Sequence, residues 1–117
     1  MLLTGDIERE QEALLVAEQG GALRSDVLIV AHHGSKTSSS PAFLDAVRPT
    51  VAVVQAGFRN RFGHPAAEIL ARYRERGIPV VASPACGAWR WRSDAEPDVA
   101  RCERDAARRY WQGVFDP

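Results

Sequence analysis

No apolar run in this chain approaches the roughly 20 residues that a membrane-spanning helix needs, and no leader-peptide pattern opens it. We therefore expect the chain itself to be soluble, wherever a larger protein carrying it resides. Cysteine is scarce: Cys86 and Cys102 stand 16 positions apart without a Cys-x-x-Cys spacing, which excludes a zinc knuckle. A bridge tying the tail to the sheet and two free thiols both fit that spacing. Net charge is missing too. The 15 basic and 15 acidic residues cancel, so no global field draws in a polyanion. Lysine is confined to Lys36, which leaves 14 arginines as the other cations. Phosphate recognition, if present, is therefore local and made by planar guanidinium groups; solvated surface accounts for most of the arginines. The Gly-x-Gly-x-x-Gly, Walker and Gly-x-Ser-x-Gly patterns are all absent, so the chain carries no signature of dinucleotide binding, P-loop hydrolysis or a serine elbow.

What remains is an ordinary globular composition, 45% apolar and 26% charged over 117 residues, enough for one domain or a piece of one. Leu2-Leu3-Thr4 reads as a short strand, and residues 7–19 as a helix with acidic first turns and Gly20-Gly21 as its stop. Residues 26–31 form a buried strand, followed by a polar loop over 34–40. Ser40-Pro41 is an N-cap followed by proline at the first helical position, opening a helix over 41–47. A strand over 50–55, a basic loop over 57–63 and a helix over 65–76 follow, the helix with Ile69, Leu70 and Tyr73 facing inward. Residues 79–82 and the alternating 88–92 are strands, 94–98 a linker, and 101–112 a terminal helix. This order predicts an α/β fold, a mixed sheet with flanking helices. Residues 1–95 form its body and 96–117 a tail with a short helix.

The chemistry concentrates where strands end, the usual place for α/β active sites. Asp6 follows Gly5 at the first strand end; it is either a turn residue or a ligand. Val27-Leu28-Ile29-Val30-Ala31 runs straight into His32-His33-Gly34-Ser35. Adjacent imidazoles on an extended strand point to opposite sides. Either one histidine binds metal while the other meets substrate or supporting groups, or the pair simply packs at the surface or in the core; the Gly34-Ser35 that follows favours the first. The third histidine, His64, lies in Asn60-Arg61-Phe62-Gly63-His64-Pro65. With Arg59, Asn60 and Arg61 beside a helix N-terminus, that loop is either a phosphate site or a solvent loop ending in an N-cap histidine. Ser35 is unattractive as a nucleophile, because nothing around it specifies a triad.

Taken together, Leu3-Thr4-Gly5-Asp6, the run from Asp26 through His32-His33-Gly34-Ser35-Lys36-Thr37-Ser38-Ser39-Ser40-Pro41, and Asn60-Arg61-Phe62-Gly63-His64-Pro65 closely resemble the C-terminal metallo-β-lactamase-like domain of the ComEC/Rec2 DNA-internalisation proteins. The tail from Gly87-Ala88-Trp89-Arg90-Trp91-Arg92 to Arg108-Arg109-Tyr110-Trp111 is similar as well. The resemblance implies the second half of an αβ/βα sandwich. It implies that Asp6 and His33 are metal ligands, Asp6 in the bridging position of a two-metal site. His32 and His64 take catalytic positions near the scissile phosphate, and Ser35, Arg59, Asn60 and Arg61 bind substrate. The metal is Zn or Mn, and the substrate of the parent protein is DNA. The family further implies an inner-membrane parent with this domain facing the periplasm, and as partners the rest of the same domain and the membrane channel.

One departure from the family stands out. Its His-x-Asp-x-Asp-His motif belongs upstream of Gly-Asp, and here Met1 lies four residues before Gly5. Asp6 and His33 supply two ligands, whereas zinc or manganese sites take about four to six donors. Expected of the isolated chain are weak metal binding, no activity alone, an uncovered sheet face and self-association. Two other readings remain: a phosphoesterase of the same fold acting on a small substrate, and a non-catalytic module that binds DNA or a partner through its arginine-rich loop and Trp-Arg strand.

Overall fold

The computed structural model describes residues 1–94 and 100–107. Its elements are β1 (Leu2–Leu3), α1 (Arg9–Gln19), β2 (Val27–Ile29), α2 (Pro41–Val47), β3 (Val51–Val54), α3 (Ala67–Glu75), β4 (Val80–Ala82), α4 (Ser83–Cys86), β5 (Trp89–Arg90), β6 (Arg101–Cys102) and α5 (Glu103–Ala106). The α/β class with flanking helices is as the sequence predicts. The first four strands form one wholly parallel sheet in chain order, and the antiparallel pairing is confined to a separate β5–β6 ribbon.

A parallel sheet whose strands follow chain order steps one way only. Right-handed crossovers then place every connecting helix on the same face. The register shows which residues that face receives. Leu2, Leu28, Ala52 and Val80 are aligned across the four strands. They pack with Phe43, Leu44 and Val47 of α2 and Ile69 and Tyr73 of α3 in a single core. The opposite row, Leu3, Ile29, Val53 and Val81, carries no helix among the described residues. Ile29, Val53 and Val81 instead line a groove of about 370 Å³ shared with Trp89 and Trp91, and Leu3 at its edge is 72% exposed.

Local sequence rules hold at several joints. The Ser40 hydroxyl accepts the Phe43 N–H at 3.4 Å, and Pro41 is the first helical residue, as the cap pattern requires. Ile69 and Tyr73 are fully buried. Arg76 reaches from the end of α3 to Asp45 of α2 at 2.9 Å. Cys86 and Cys102 are bridged, which resolves the cysteine alternative and fastens β6 to α4.

Three expectations need correction. The second strand stops at Ile29, and Ala31–Gly34 is a tight turn rather than strand. The helix expected from Pro65 starts at Ala67 with Ala66 as its cap residue, so His64 is set back from its first turn. Within the expected terminal helix, Arg101 and Cys102 are extended and only Glu103–Ala106 is helical among the described residues. Residues 108–112 lie outside them, as does most of the expected linker.

Candidate functional site

The carboxyl ends of all four parallel strands meet at one rim, and the site is built there. The Thr4 hydroxyl donates to the Ile29 carbonyl at 2.7 Å, pinning the end of β1 to β2. Gly5 turns the chain at φ +59°, and its carbonyl accepts the His32 N–H at 2.9 Å. Asp6 is thereby held beside the histidine pair.

That pair does not sit on a strand. His32 and His33 both adopt left-handed backbone conformations, φ 49° and 56°, and Gly34 follows at φ +80°. Each non-glycine residue in that region costs about 1–2 kcal/mol. The turn persists because it is tied on several sides. The Ser35 N–H bonds the His32 carbonyl at 3.0 Å, and the Ser38 hydroxyl lies 2.9 Å from the carbonyls of Ala31 and of Ser35. The expected divergence of the two rings is therefore produced by a turn, not by strand alternation, and their centroids are 6.5 Å apart.

Each ring has a distinct partner. His33 Nδ1 lies 2.7 Å from the Gln55 carbonyl at the end of β3. Only a protonated Nδ1 can donate to a carbonyl, so the neutral ring presents an unprotonated Nε2. That atom is 3.8 Å from Asp6 Oδ1. Two ligands about 2.0–2.1 Å from one tetrahedral zinc sit roughly 3.4 Å apart. The oriented ring and adjacent carboxylate thus fit two positions of a metal shell. Among the described residues, no further His, Cys, Asp or Glu joins them to make a group of three.

His32 turns the other way, with Nδ1 3.2 Å from Glu8 Oε1. The same Glu8 oxygen accepts the Thr37 hydroxyl at 3.0 Å. His32 also lies edge-on to His64, ring centroids 6.3 Å apart. Ser35 points into its own loop, 3.1 Å from the Thr37 hydroxyl, and does not line the cleft.

The cleft beside His33 has a volume of about 520 Å³ and includes Gln55, Asn60, Phe62, His64 and Ser83 in its wall. Asn60 has its amide committed to the loop. It donates to the carbonyls of Gly57 (3.0 Å) and His64 (2.6 Å) and accepts the His64 N–H at 2.9 Å. Its role in this structure is to position His64. Arg59 and Arg61 are exposed, each with its guanidinium over a neighbouring phenylalanine.

Sequence reasoning missed the residue that holds the serine loop. Glu12 reads as one of several acids favouring the start of α1, yet it is 0% exposed. Its carboxylate accepts the Ser39 and Ser40 N–H groups at 2.6 and 2.8 Å. From the other side, Arg72 donates to the Ser39 carbonyl at 3.1 Å and the Tyr73 hydroxyl lies 3.0 Å from the Ser39 hydroxyl. Only the run Ser38-Ser39-Ser40, polar groups in a buried connection, hinted that a partner was needed.

The same cluster perturbs Tyr73. Burial pushes its phenol up to about 12, and the Glu12 charge adds to the rise while the Ser39 bond opposes it. The unfolded chain ionises tyrosine near 10. The folded state therefore keeps this proton longer, and the associated stability is complete below about pH 10 and lost as pH rises through 12. The loss should approach roughly 2–3 kcal/mol. Tyr73→Phe is expected to flatten the alkaline decline in urea-unfolding free energy; an undiminished decline in that variant would assign it to other groups.

No family model matches the chain. It is 43% identical over 88 residues to competence protein ComA of Neisseria gonorrhoeae, covering 75% of this chain and 13% of that protein. ComE operon protein 3 of Bacillus subtilis is 36% identical over 78% of this chain and 12% of its own length. Recombination protein 2 of Haemophilus influenzae is 42% identical over 62% and 9%. The chain thus spans about 9–13% of the length of these curated relatives. The level of identity over most of its own length establishes that this chain belongs to the ComEC/Rec2 family of competence proteins.

Proposed function

We propose that the chain is part of a metal-dependent phosphodiesterase that acts on DNA during its uptake, within a domain of the metallo-β-lactamase type. The observation that carries this reading is His33, its Nδ1 engaged by the Gln55 carbonyl and its Nε2 turned to Asp6 at 3.8 Å. Asp6 and His33 would hold Zn or Mn, and the metal, when bound, would polarise a phosphodiester oxygen and lower the pKa of a bound water. The chain's own residues supply the surroundings. Gln55 holds the His33 ring in one tautomer. Glu8 lies 3.2 Å from His32 Nδ1. Asn60 sets His64 in the cleft wall, edge-on to His32, where the His64 imidazole can meet phosphate with His32 beside it. Arg59 and Arg61 attract the backbone.

Two donors are half a shell or less, so the remaining ligands come from water, substrate and the rest of the domain in the longer protein. The apolar row Leu3, Ile29, Val53 and Val81 supports that packing: it is the sheet face on which the remainder of the domain would lie, and the face by which isolated copies would self-associate. Among the described residues no helix is long and apolar enough to cross a membrane. The inner-membrane channel, and a periplasmic position for this segment, belong to the proposal about the whole protein.

The test is metal competition against a chromogenic chelator, together with cleavage of labelled DNA in Zn²⁺ or Mn²⁺. Weak saturable binding is expected, reduced about tenfold or more by Asp6→Ala and by His33→Ala. Binding indifferent to both substitutions would overturn the reading. The exposed arginine–phenylalanine pairs favour one alternative, a module that only binds DNA. It would show salt-sensitive binding unaffected by either substitution, with no cleavage.

A further inference from the structure

The loop between β3 and α3 reads Phe58-Arg59-Asn60-Arg61-Phe62, an aromatic–cation pair on each side of a central asparagine. Asn60 spends its amide bracing the loop against Gly57 and His64, which leaves the flanking side chains outward. Phe62 is 67% exposed at the cleft wall, an expensive place for a phenyl ring with no packing role in the core. Its ring lies nearly parallel to His64, 28° between planes and 5.8 Å between centroids, while the Arg61 guanidinium lies 4.8 Å from its centre. No acidic residue occurs between Asp45 and Glu68, and among the described residues no carboxylate lines the cleft.

We infer that Phe62, backed by His64 and flanked by Arg61, is a stacking subsite for an unpaired nucleobase at the mouth of the cleft. This rests on the reading that the substrate is DNA, and it names the form recognised: a strand whose bases are free. A planar ring next to a mobile planar cation is the combination that single-strand sites use, the ring taking a base and the cation a phosphate. A guanidinium and a base compete for the same aromatic face, so Arg61 covers Phe62 in the free protein and swings to the backbone when a base arrives. In a duplex the bases are stacked on one another and present no face to Phe62. The volume of about 520 Å³ falls in the range of small-ligand clefts, enough for a nucleotide beside His33.

The experiment measures binding by fluorescence anisotropy in EDTA, so that metal loading and cleavage play no part. Three labelled probes of equal length are compared: a single-stranded DNA, an abasic sugar–phosphate strand, and the duplex. The base-bearing single strand should bind about tenfold tighter than the abasic strand. Phe62→Ala should erase that difference while leaving the abasic affinity unchanged, and Phe62→Trp should retain it. Arg61→Ala should weaken both single strands and reduce their salt dependence. Equal affinity for base-bearing and abasic strands, duplex preferred over single strand, or a Phe62→Ala variant that binds like the parent would overturn the subsite. Absence of binding by all three probes would overturn it together with the DNA reading. Loss of metal binding or cleavage alone would count against the proposed chemistry and leave the subsite standing.

Discussion

Glu12→Ala is expected to destabilise the chain by about 3–5 kcal/mol, a large share of the 5–15 kcal/mol that separates folded from unfolded domains. The carboxylate has no water to fall back on, being 0% exposed. What offsets its desolvation is a pair of short charge-assisted bonds, from the Ser39 N–H at 2.6 Å and the Ser40 N–H at 2.8 Å. Truncation removes both acceptors at once and leaves the two donors facing a void, each orphaned group costing about 1–3 kcal/mol. The Arg72 and Tyr73 contacts to the same loop cannot substitute, because one bonds carbonyls and the other a hydroxyl. Glu12→Gln keeps the volume and one acceptor oxygen but turns an amide N–H₂ toward a backbone donor, so roughly half the loss is expected. Equilibrium urea unfolding gives both values. A Glu12→Ala loss below about 1 kcal/mol would mean that the serine loop relaxes to find other partners, and that the clamp is incidental.

Gly34→Ala carries the second large effect, and it acts on the site itself. A Cβ at this position would lie 2.6 Å from Pro65 Cβ and 3.0 Å from Pro65 Cα, at a backbone φ of +80°. Neither obstacle is the flexible end of a side chain. The conformational term alone is about 1 kcal/mol, and overpacking of this kind adds about 1–3. Relief requires Pro65 to move away, yet the Ala66 N–H is bonded to the Gly34 carbonyl at 2.9 Å. That movement would carry His64 off the edge of His32 and open the cleft. Gly63→Ala is the control: φ is +66° there and nothing lies within 4 Å of the new methyl, so only the conformational term applies. Matched unfolding curves should show Gly34→Ala clearly worse than Gly63→Ala. Equal losses would mean that the two segments part without consequence.

Much of the framework was legible because it is local. Four β-prone runs, with glycine and proline at the joints, are enough to specify strands joined by helices, while their wholly parallel pairing is a finding of the structure. Ser40-Pro41 announces the start of α2 by its own chemistry. That Asp6 and the histidine pair share neighbouring strand ends was readable from the residues. The choice of His33 came from the family resemblance, and the structure puts Asp6 and His33 3.8 Å apart. The family resemblance implies substrate-binding roles for Ser35 and Asn60; in the structure both side chains bond within their own loops, and Asn60 also stands in the cleft wall. Residue type says what a side chain can bond, and only the fold says what is within reach.

By itself, then, the sequence determined the class of fold, the Ser40 cap of α2, the strand-end position of the acidic and histidine residues, and the family. Tertiary structure alone decided the rest. The left-handed conformations of His32 and His33 run against local preference, and to the local bonds from Ser35 and Ser38 the fold adds a distant tie, the Gly5 carbonyl accepting the His32 N–H. The burial of Glu12 depends on backbone donors 27 and 28 residues away, and no periodicity in α1 encodes them. The row of Leu3, Ile29, Val53 and Val81, which carries no helix among the described residues, emerges from strand order, which places every crossover helix on the other face. Short-range propensities fix which residues are helical or extended; where a buried charge finds its partners, and which face of a sheet stays open, are set by contacts between segments far apart in the chain.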